Sequence, residues 1–263
     1  MSYGPRPWQQ AHWDWRAAGN FMLGGTGAGL LIAATIVQIP FPLTVLLGLL
    51  LIASGLGSVW LEIGRKLRAI HVFFNPQTSW MTRESFAAVL LFVLAAAYLF
   101  LGWAELLVAV ALAALAFVYC QGRILRASKG IPAWRAPQVV ALIMTTALAE
   151  GTGLLLVIYP DLLIVSLFAA AVLARAVAWS GYWTALKQPG SRAALESAGK
   201  ALIQVGTLAP LALVLGAYFL PQAAALAAIA AILAGWRLKY VLVTRAAFNQ
   251  GFALPQLPVR GAR

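Results

Sequence analysis

Residues 85–121 read SFAAVLLFVLAAAYLFLGWAELLVAVALAALAFVYCQ, and this stretch decides the fold. It holds two apolar runs, 85–101 and 103–121, which only Gly102 separates, and Glu105 is its one charged residue. A helix rises about 1.5 Å per residue, so each run is long enough to cross a hydrocarbon layer about 30 Å thick. A segment in lipid must satisfy its own backbone hydrogen bonds, so each run is predicted to be a helix.

The rest of the chain repeats this composition. Of its 263 residues 62% are apolar and 10% are charged, whereas soluble domains carry about 25% charged residues. We predict an all-α polytopic membrane protein that forms a single integral membrane domain over residues 1–263. Its eight transmembrane helices are expected at residues 17–39, 43–62, 85–101, 103–121, 137–159, 162–182, 201–220 and 222–242.

The segments outside these helices are short. Residues 1–16 lack the features of a signal peptide and are interpreted as an interfacial segment, with Trp8, Trp13 and Trp15 as membrane-interface anchors. Residues 63–84 form the longest loop, and residues 243–263 are predicted to be a C-terminal tail.

The net charge of +12 comes from 19 Lys and Arg residues against 7 Asp and Glu residues. In a soluble protein this balance would favour a nucleic-acid partner. Here the connections after the odd-numbered helices are tiny and carry no Lys or Arg, and every basic residue except Arg175 lies on the other side. By the positive-inside rule both termini are expected in the cytoplasm. We further expect the chain in a bacterial inner membrane, with no nucleic acid as partner.

Cysteine and histidine are scarce. The only cysteine is Cys120, and the two histidines, His12 and His71, both lie in polar segments. One thiol cannot hold an iron–sulfur cluster, a structural zinc or an internal disulfide, and no histidine is placed to ligate a transmembrane haem. No metal site is predicted, so any electrons must come from a partner or from a diffusible small molecule.

A short sequence motif occurs in both halves of the chain. Gly25-Thr26-Gly27 recurs as Gly151-Thr152-Gly153, 126 residues later. Two explanations stay open. Small residues let helices pack closely, or a four-helix unit was duplicated, which would give two four-helix bundles.

The richest polar segment is residues 62–84, EIGRKLRAIHVFFNPQTSWMTRE. Carboxylates and a histidine at a membrane boundary can relay protons to a lipid-soluble substrate. A basic loop lying on anionic lipid head groups is the alternative.

Three of the ionisable residues inside the apolar segments are candidates for a function. Arg175 is expected either to reach Glu62 or to snorkel to the inner interface. Glu150 is interpreted as part of a proton route or as a structural hydrogen bond. Lys239 either lines a head-group pocket or snorkels, and snorkelling is favoured.

Three motifs resemble one membrane-protein family. They are HWDWRAAGNFMLGGTGAG at 12–29, the 62–84 segment with its Gly64, Ala69 and Ser79, and LKYVLVTRAAFNQGFALP at 238–255. In this order they resemble the DMSO-reductase anchor subunit (DmsC) branch of the NrfD/polysulfide-reductase membrane subunits.

This resemblance implies a haem-free anchor that binds quinone or quinol, either menaquinone or ubiquinone. The expected partners are a four-cluster ferredoxin-like iron–sulfur subunit and a molybdopterin catalytic subunit, so substrate catalysis would occur in another chain. The residues expected for quinone binding and proton exchange are Glu62, Arg68, His71, Glu84, Arg175 and Lys239, and those expected to dock the partner are Arg65, Lys66, Asn75, Trp80 and Arg83.

Two positions depart from the family pattern. Glu62 stands where some relatives have histidine, which changes the proton-accepting group, and Lys66 stands where many have proline. The other hypotheses are a small transporter and a purely structural anchor without a quinone site.

Overall fold

The computed structural model describes residues 7–38, 42–216 and 222–251. Over these ranges the chain has eight helices long and apolar enough to cross a membrane, which confirms the predicted all-α polytopic membrane fold. They are α1 (Trp15–Ile36), α2 (Pro42–Glu62), α3 (Trp80–Leu101), α4 (Glu105–Ala127), α5 (Gln138–Ile158), α6 (Leu162–Ala185), α7 (Pro189–Gly216) and α8 (Gln222–Arg245).

Several helices extend beyond the apolar runs. α3 begins at Trp80 rather than at residue 85, because the Ser79 hydroxyl caps it by accepting a hydrogen bond from the Thr82 amide. α7 begins at Pro189 rather than at residue 201, with proline in its first turn, where no amide hydrogen is needed. α3 ends where predicted, at Leu101, and the Gly102 that follows it has a φ of 70°.

The N-terminal segment is held against the C-terminal one. The Gln10 amide donates to the Ala247 carbonyl at 2.9 Å, and the Asn249 amide donates to the Trp8 carbonyl at 2.9 Å. Both described ends therefore lie together, beside the connections 63–79, 128–137 and 186–188. The side of the protein that carries these connections is called the basic face below.

The first helix starts in this segment. Asp14 caps α1, and its hydrogen bond with the Arg16 side chain lowers the pKa of the Asp14 carboxyl. Trp8 and Trp15 are exposed, as expected of interface anchors, whereas Trp13 is half-buried, with its ring centre 4.8 Å from that of Trp134. The role of Trp13 as an interface anchor stays a prediction. Residues 1–6 and 252–263, including Arg6, Arg260 and part of the predicted C-terminal tail, lie outside the described residues.

The two halves of the chain meet where α1 crosses α5. A β-carbon added to Gly29 would overlap the Ala147 carbonyl, and one added to Gly151 would overlap the Gly29 backbone. Only glycine lets the two backbones approach this closely. The buried apolar core continues across both halves from this crossing.

We predict that Gly29→Ala and Gly151→Ala each lower the free energy of unfolding by about 1–3 kcal/mol or more, because the added methyl group must push the two helices apart. Equilibrium unfolding in mixed micelles, by titration with sodium dodecyl sulfate, measures the change. Gly57→Ala is the matched control, since a β-carbon there meets nothing within 4 Å. Equal stability of all three variants would contradict the close crossing.

Candidate functional site

A cavity of about 530 Å³ opens between α1, α2, α3 and the 63–79 connection at the basic face. This volume lies within the range of small-molecule sites, which is about 300–1,000 Å³. Most of its wall is apolar or aromatic, as is usual for such sites. The wall includes Trp13, Ala17, Phe21, Leu56, Val59, Trp60, Ile63, Ala69, Val72, Met81 and Ile124.

Few polar side chains reach this cavity. Glu62 ends α2 at its rim and is half-buried, whereas Glu84 is buried one turn into α3. The Asn20 side-chain amide on α1 donates to Glu84 Oε1 at 2.9 Å. Two carboxyl groups on a mostly apolar wall can exchange protons with a bound molecule and hydrogen-bond its polar atoms.

Asn20 was not predicted from the sequence. It lies at the start of a π-helical turn, Asn20–Gly24, inside α1. Such turns often occur at functional sites, because the wider turn leaves backbone groups free to bond elsewhere. Here the Asn20 carbonyl accepts a hydrogen bond from Gln121 Nε2 at 3.0 Å. The sequence feature that could have indicated Asn20 is an asparagine inside an apolar helix.

The 63–79 connection covers the cavity with a short 3₁₀ helix, Lys66–Phe74. Ala69 and Val72 line the cavity, and the Thr82 hydroxyl holds this helix by donating to the Val72 carbonyl. Arg68 and His71 do not line the cavity and are exposed, with His71 Nδ1 3.0 Å from the Arg68 carbonyl. The predicted site residues on this connection are thus separated from Glu62 and Glu84.

The predicted docking residues form the outer rim of the same connection. Arg65 and Asn75 are exposed. Trp80 lies between two guanidinium groups, those of Arg83 and Arg123, each 4.2 Å from its ring centre. Cation–π contacts of this kind hold positive charge beside the cavity. The side chain of Lys66 lies outside the described residues.

A second polar cluster lies deeper, among α1, α5, α6 and α8. Lys239 Nζ is 2.6 Å from Glu150 Oε2, and both side chains are fully buried. The Thr26 hydroxyl donates to the same carboxyl oxygen at 2.8 Å, and Trp236 Nε1 donates to Thr26 Oγ1 at 2.9 Å. Lys239 does not snorkel, so the favoured prediction for it was wrong.

Arg175 completes this cluster on α6 and is also fully buried. It donates to the Ala231 carbonyl at 2.8 Å and to the Gly206 carbonyl. Gly206 lies in a second π-helical turn, Gln204–Leu208. Arg175 therefore neither reaches Glu62 nor snorkels, and both alternatives predicted for it were wrong.

The cluster is electrostatically costly. Ions removed from water lose several kcal/mol of solvation, which their mutual attraction offsets only with good geometry and further hydrogen bonds. With all groups ionised, Glu150 carries one negative charge against the two positive charges of Lys239 and Arg175. An ionised cluster inside a membrane is expected to serve a function.

No family model matches this chain, and no curated protein matches it. The groups available for chemistry at the cavity and in the cluster include carboxyl, amide, hydroxyl, ammonium and guanidinium groups. Among the described residues no three His, Cys, Asp or Glu side chains group closely enough to hold a metal ion. The two regions are therefore suited to binding and to proton transfer.

We predict that Lys239→Met lowers the free energy of unfolding by about 3–5 kcal/mol, because it leaves the Glu150 carboxylate buried without its closest cation. The double variant Glu150→Gln/Lys239→Met should recover most of this loss. Denaturant titration in micelles measures both. Lys200→Met is the control, because its ion pair with Glu196 is exposed and contributes little. A double variant as unstable as Lys239→Met would contradict the pairing.

Proposed function

We propose that this chain is the quinone-reactive membrane anchor of a molybdopterin oxidoreductase. The observation that carries the proposal is the apolar cavity at the basic face with Glu62 and Glu84 on its wall. A quinone head group is a flat apolar ring with two carbonyl oxygens, and it needs an apolar slot with few hydrogen-bonding groups. The resemblance of the three sequence motifs to anchor subunits supports the same function.

The two carboxyl groups would handle protons. Reduction of a quinone takes up two electrons and two protons, and oxidation of a quinol releases them. Glu84, fixed by Asn20, is positioned to hydrogen-bond a head-group oxygen and exchange a proton with it. Glu62 is at the rim, where it is positioned to exchange that proton with water. His71 is exposed, so any proton exchange by its side chain would take place outside the cavity.

Electrons would come from, or go to, an iron–sulfur subunit docked on the basic face. The rim beside the cavity presents Arg65, Arg68 and the stacked Arg83 and Arg123. Positive charge on a docking surface steers an acidic partner and sets its orientation. The molybdopterin subunit would then sit beyond the iron–sulfur subunit and carry out the substrate chemistry.

The charge distribution also gives an orientation. Positive residues collect on cytoplasmic loops, so the basic face would lie in the cytoplasm of a bacterium, with the chain in the inner membrane. The cavity and the docked partners would then face the cytoplasm.

A transporter is the second candidate, and the buried Glu150–Lys239–Arg175 cluster favours it, because transporters place charged substrate sites near the membrane midplane. In this chain the cluster is already internally bonded. Toward the other membrane face it is covered by a tightly packed apolar cluster that includes Leu30, Leu155, Phe168 and Val172. The anchor therefore accounts for more of the structure.

We predict that the purified chain in lipid nanodiscs binds decylubiquinone, and that Glu84→Leu weakens this binding about tenfold through loss of a hydrogen-bonding carboxyl group. Quenching of tryptophan fluorescence reports binding, since Trp13 and Trp60 line the cavity. Glu62→Leu should weaken binding less, because Glu62 is at the rim.

Glu196→Gln is the control for this experiment, since Glu196 is exposed and pairs with Lys200. If the wild-type chain does not bind decylubiquinone, the chain is a structural anchor or a transporter and the proposal fails. If Glu84→Leu binds decylubiquinone as tightly as the wild type, the quinone site does not include Glu84.

Reporter fusions test the orientation. A fluorescent protein fused after Arg263 should fluoresce, because it folds in the cytoplasm, whereas alkaline phosphatase fused there should be inactive. Alkaline phosphatase inserted at Gly102, in the turn between α3 and α4, should be active in the periplasm. The reverse pattern would place the basic face and its partners outside the cytoplasm.

A further inference from the structure

A line of polar groups leads from the cavity to the buried ion cluster, with a gap between Gln121 and Lys239. From the hydrogen bond between the Glu84 and Asn20 side chains the line continues to Gln121. The side-chain amide of Gln121 donates to the backbone carbonyl of Asn20 at 3.0 Å. Gln121 is fully buried on α4. A β-carbon on Gly25 would stand 3.5 Å from Gln121 Oε1 and 2.6 Å from Lys239 Nζ. These two polar groups therefore face the same small space beside Gly25.

The line deepens steadily into the membrane. Counted from the basic ends of their helices at about 1.5 Å per residue, Glu84 and Asn20 lie about 6–8 Å deep and Gln121 and Lys239 about 9 Å. Glu150 lies about 18 Å deep on the same count. The side chains thus connect the cavity with the middle of the membrane.

Several atoms along this line keep a hydrogen-bonding position open. Within the described part of the chain, Asn20 Oδ1, Gln121 Oε1 and Glu150 Oε1 are buried oxygens without a protein donor, and Arg175 Nε is a buried donor without an acceptor. Buried polar groups of this kind are normally satisfied by ordered water. Water molecules bonded to the amides and to Lys239 would complete a path along which protons move.

Charge identifies the group that gives up the proton. The groups facing Lys239 are Glu150 on α5, Gln121 on α4 and, beyond the carboxylate, Arg175 on α6. Arginine keeps its proton in proteins. When Lys239 is protonated the cluster carries one surplus positive charge, and when Lys239 is neutral Glu150 and Arg175 balance. The charge balance therefore favours Lys239 as the member of the cluster that exchanges a proton.

We propose that Lys239, held by Glu150, is a buried proton-exchange site that serves the cavity through Gln121 and Asn20. The inference rests on the proposed quinone function. When a quinone in the cavity accepts two electrons from the partner, it also binds two protons. One passes from the Lys239 ammonium group toward Glu84, and the other comes from the Glu84 carboxyl. Both groups regain protons from the basic face, and quinol oxidation reverses the flow.

The site is closed on its other side. The apolar cluster around Leu30, Leu155 and Phe168 separates it from the opposite membrane face and contains no charged group. We therefore place the entry and exit of protons at the cavity. In this proposal the cluster stores protons and returns them on the side of the membrane where the cavity opens.

The first test needs no quinone. The chain in nanodiscs is subjected to a rapid change from acidic to alkaline pH while infrared difference spectra are recorded. Loss of the Lys239 proton should shift a carboxylate band that is absent in Glu150→Gln. Gln121→Leu, which leaves every charge in place, should keep this band shift but slow it about 100-fold, the size of a typical proton-transfer contribution.

The control variant is Lys200→Met, whose ion pair with Glu196 is exposed and lies off the path. It should leave the band and its rate unchanged. The inference is overturned if no carboxylate band depends on Glu150, or if Gln121→Leu responds as fast as the wild type. Because Gln121→Leu keeps the ion cluster intact, the rate of its band shift tests the proton path even if variants of Lys239 fail to fold.

The second test adds the quinone. Decylubiquinone bound to the chain is reduced at an electrode through a mediator, which supplies the two electrons, and hydroquinone formation is followed by absorbance. Gln121→Leu should bind decylubiquinone with the wild-type Kd but form hydroquinone about 100-fold more slowly at alkaline pH. At acidic pH, where protons from solution are plentiful, the difference should disappear.

The outcomes separate the two proposals. If the wild-type chain does not bind decylubiquinone, the proposed function fails, whereas the pH-change experiment still reports on Lys239. If decylubiquinone binds and Gln121→Leu reduces it at the wild-type rate at every pH, the proposed function stands and the proton-exchange site is wrong.

Discussion

The close crossing of α1 and α5 at Gly29 and Gly151 is the constraint on which the polar interior depends. Because the backbones touch there, Thr26, one turn from Gly29 on α1, reaches the Glu150 carboxyl on α5 at 2.8 Å. A wider separation would break this hydrogen bond and leave Glu150 Oε2 bonded to Lys239 alone. A hydrogen bond to a charged group contributes about 1.5–3 kcal/mol. The apolar packing of the two helices and the ion pair of Glu150 thus stabilise the same geometry.

Glycines elsewhere make room for charge in the same way. A β-carbon on Gly235 would stand 2.5 Å from Glu150 Oε1 and 3.2 Å from Arg175 Nη1. Gly25 has the same role beside Lys239. Space that a methyl group would fill is instead available to polar atoms, so the glycines of α1 and α8 serve the ion cluster as well as helix packing. In the first Gly-Thr-Gly triplet, residues 25–27, Gly25 leaves room for Lys239 and Thr26 hydrogen-bonds Glu150.

The eight spans could be predicted from the sequence because lipid imposes one requirement, a long apolar run, on each of them. The helix ends were less predictable. Polar turns such as the start of α7 at Pro189 continue a helix beyond the apolar run, and their caps are local features that hydropathy does not contain. The π-helical turns in α1 and α7 were also not predicted, because they follow from packing between helices.

The candidate site was predictable only in part, and the reason is physical. Glu62 and Glu84 flank one connection in the sequence, so their approach to one cavity is a local matter. The pairing of Glu150 with Lys239, 89 residues apart, depends on how three helices pack, which one sequence does not reveal. An isolated lysine near the end of an apolar helix therefore looks like a snorkelling residue until its partner is known. A buried ion pair costs solvation free energy that apolar side chains of the same size would not cost. The cluster and the amides that lead to it are thus better explained by a requirement for mobile protons near the cavity than by stability.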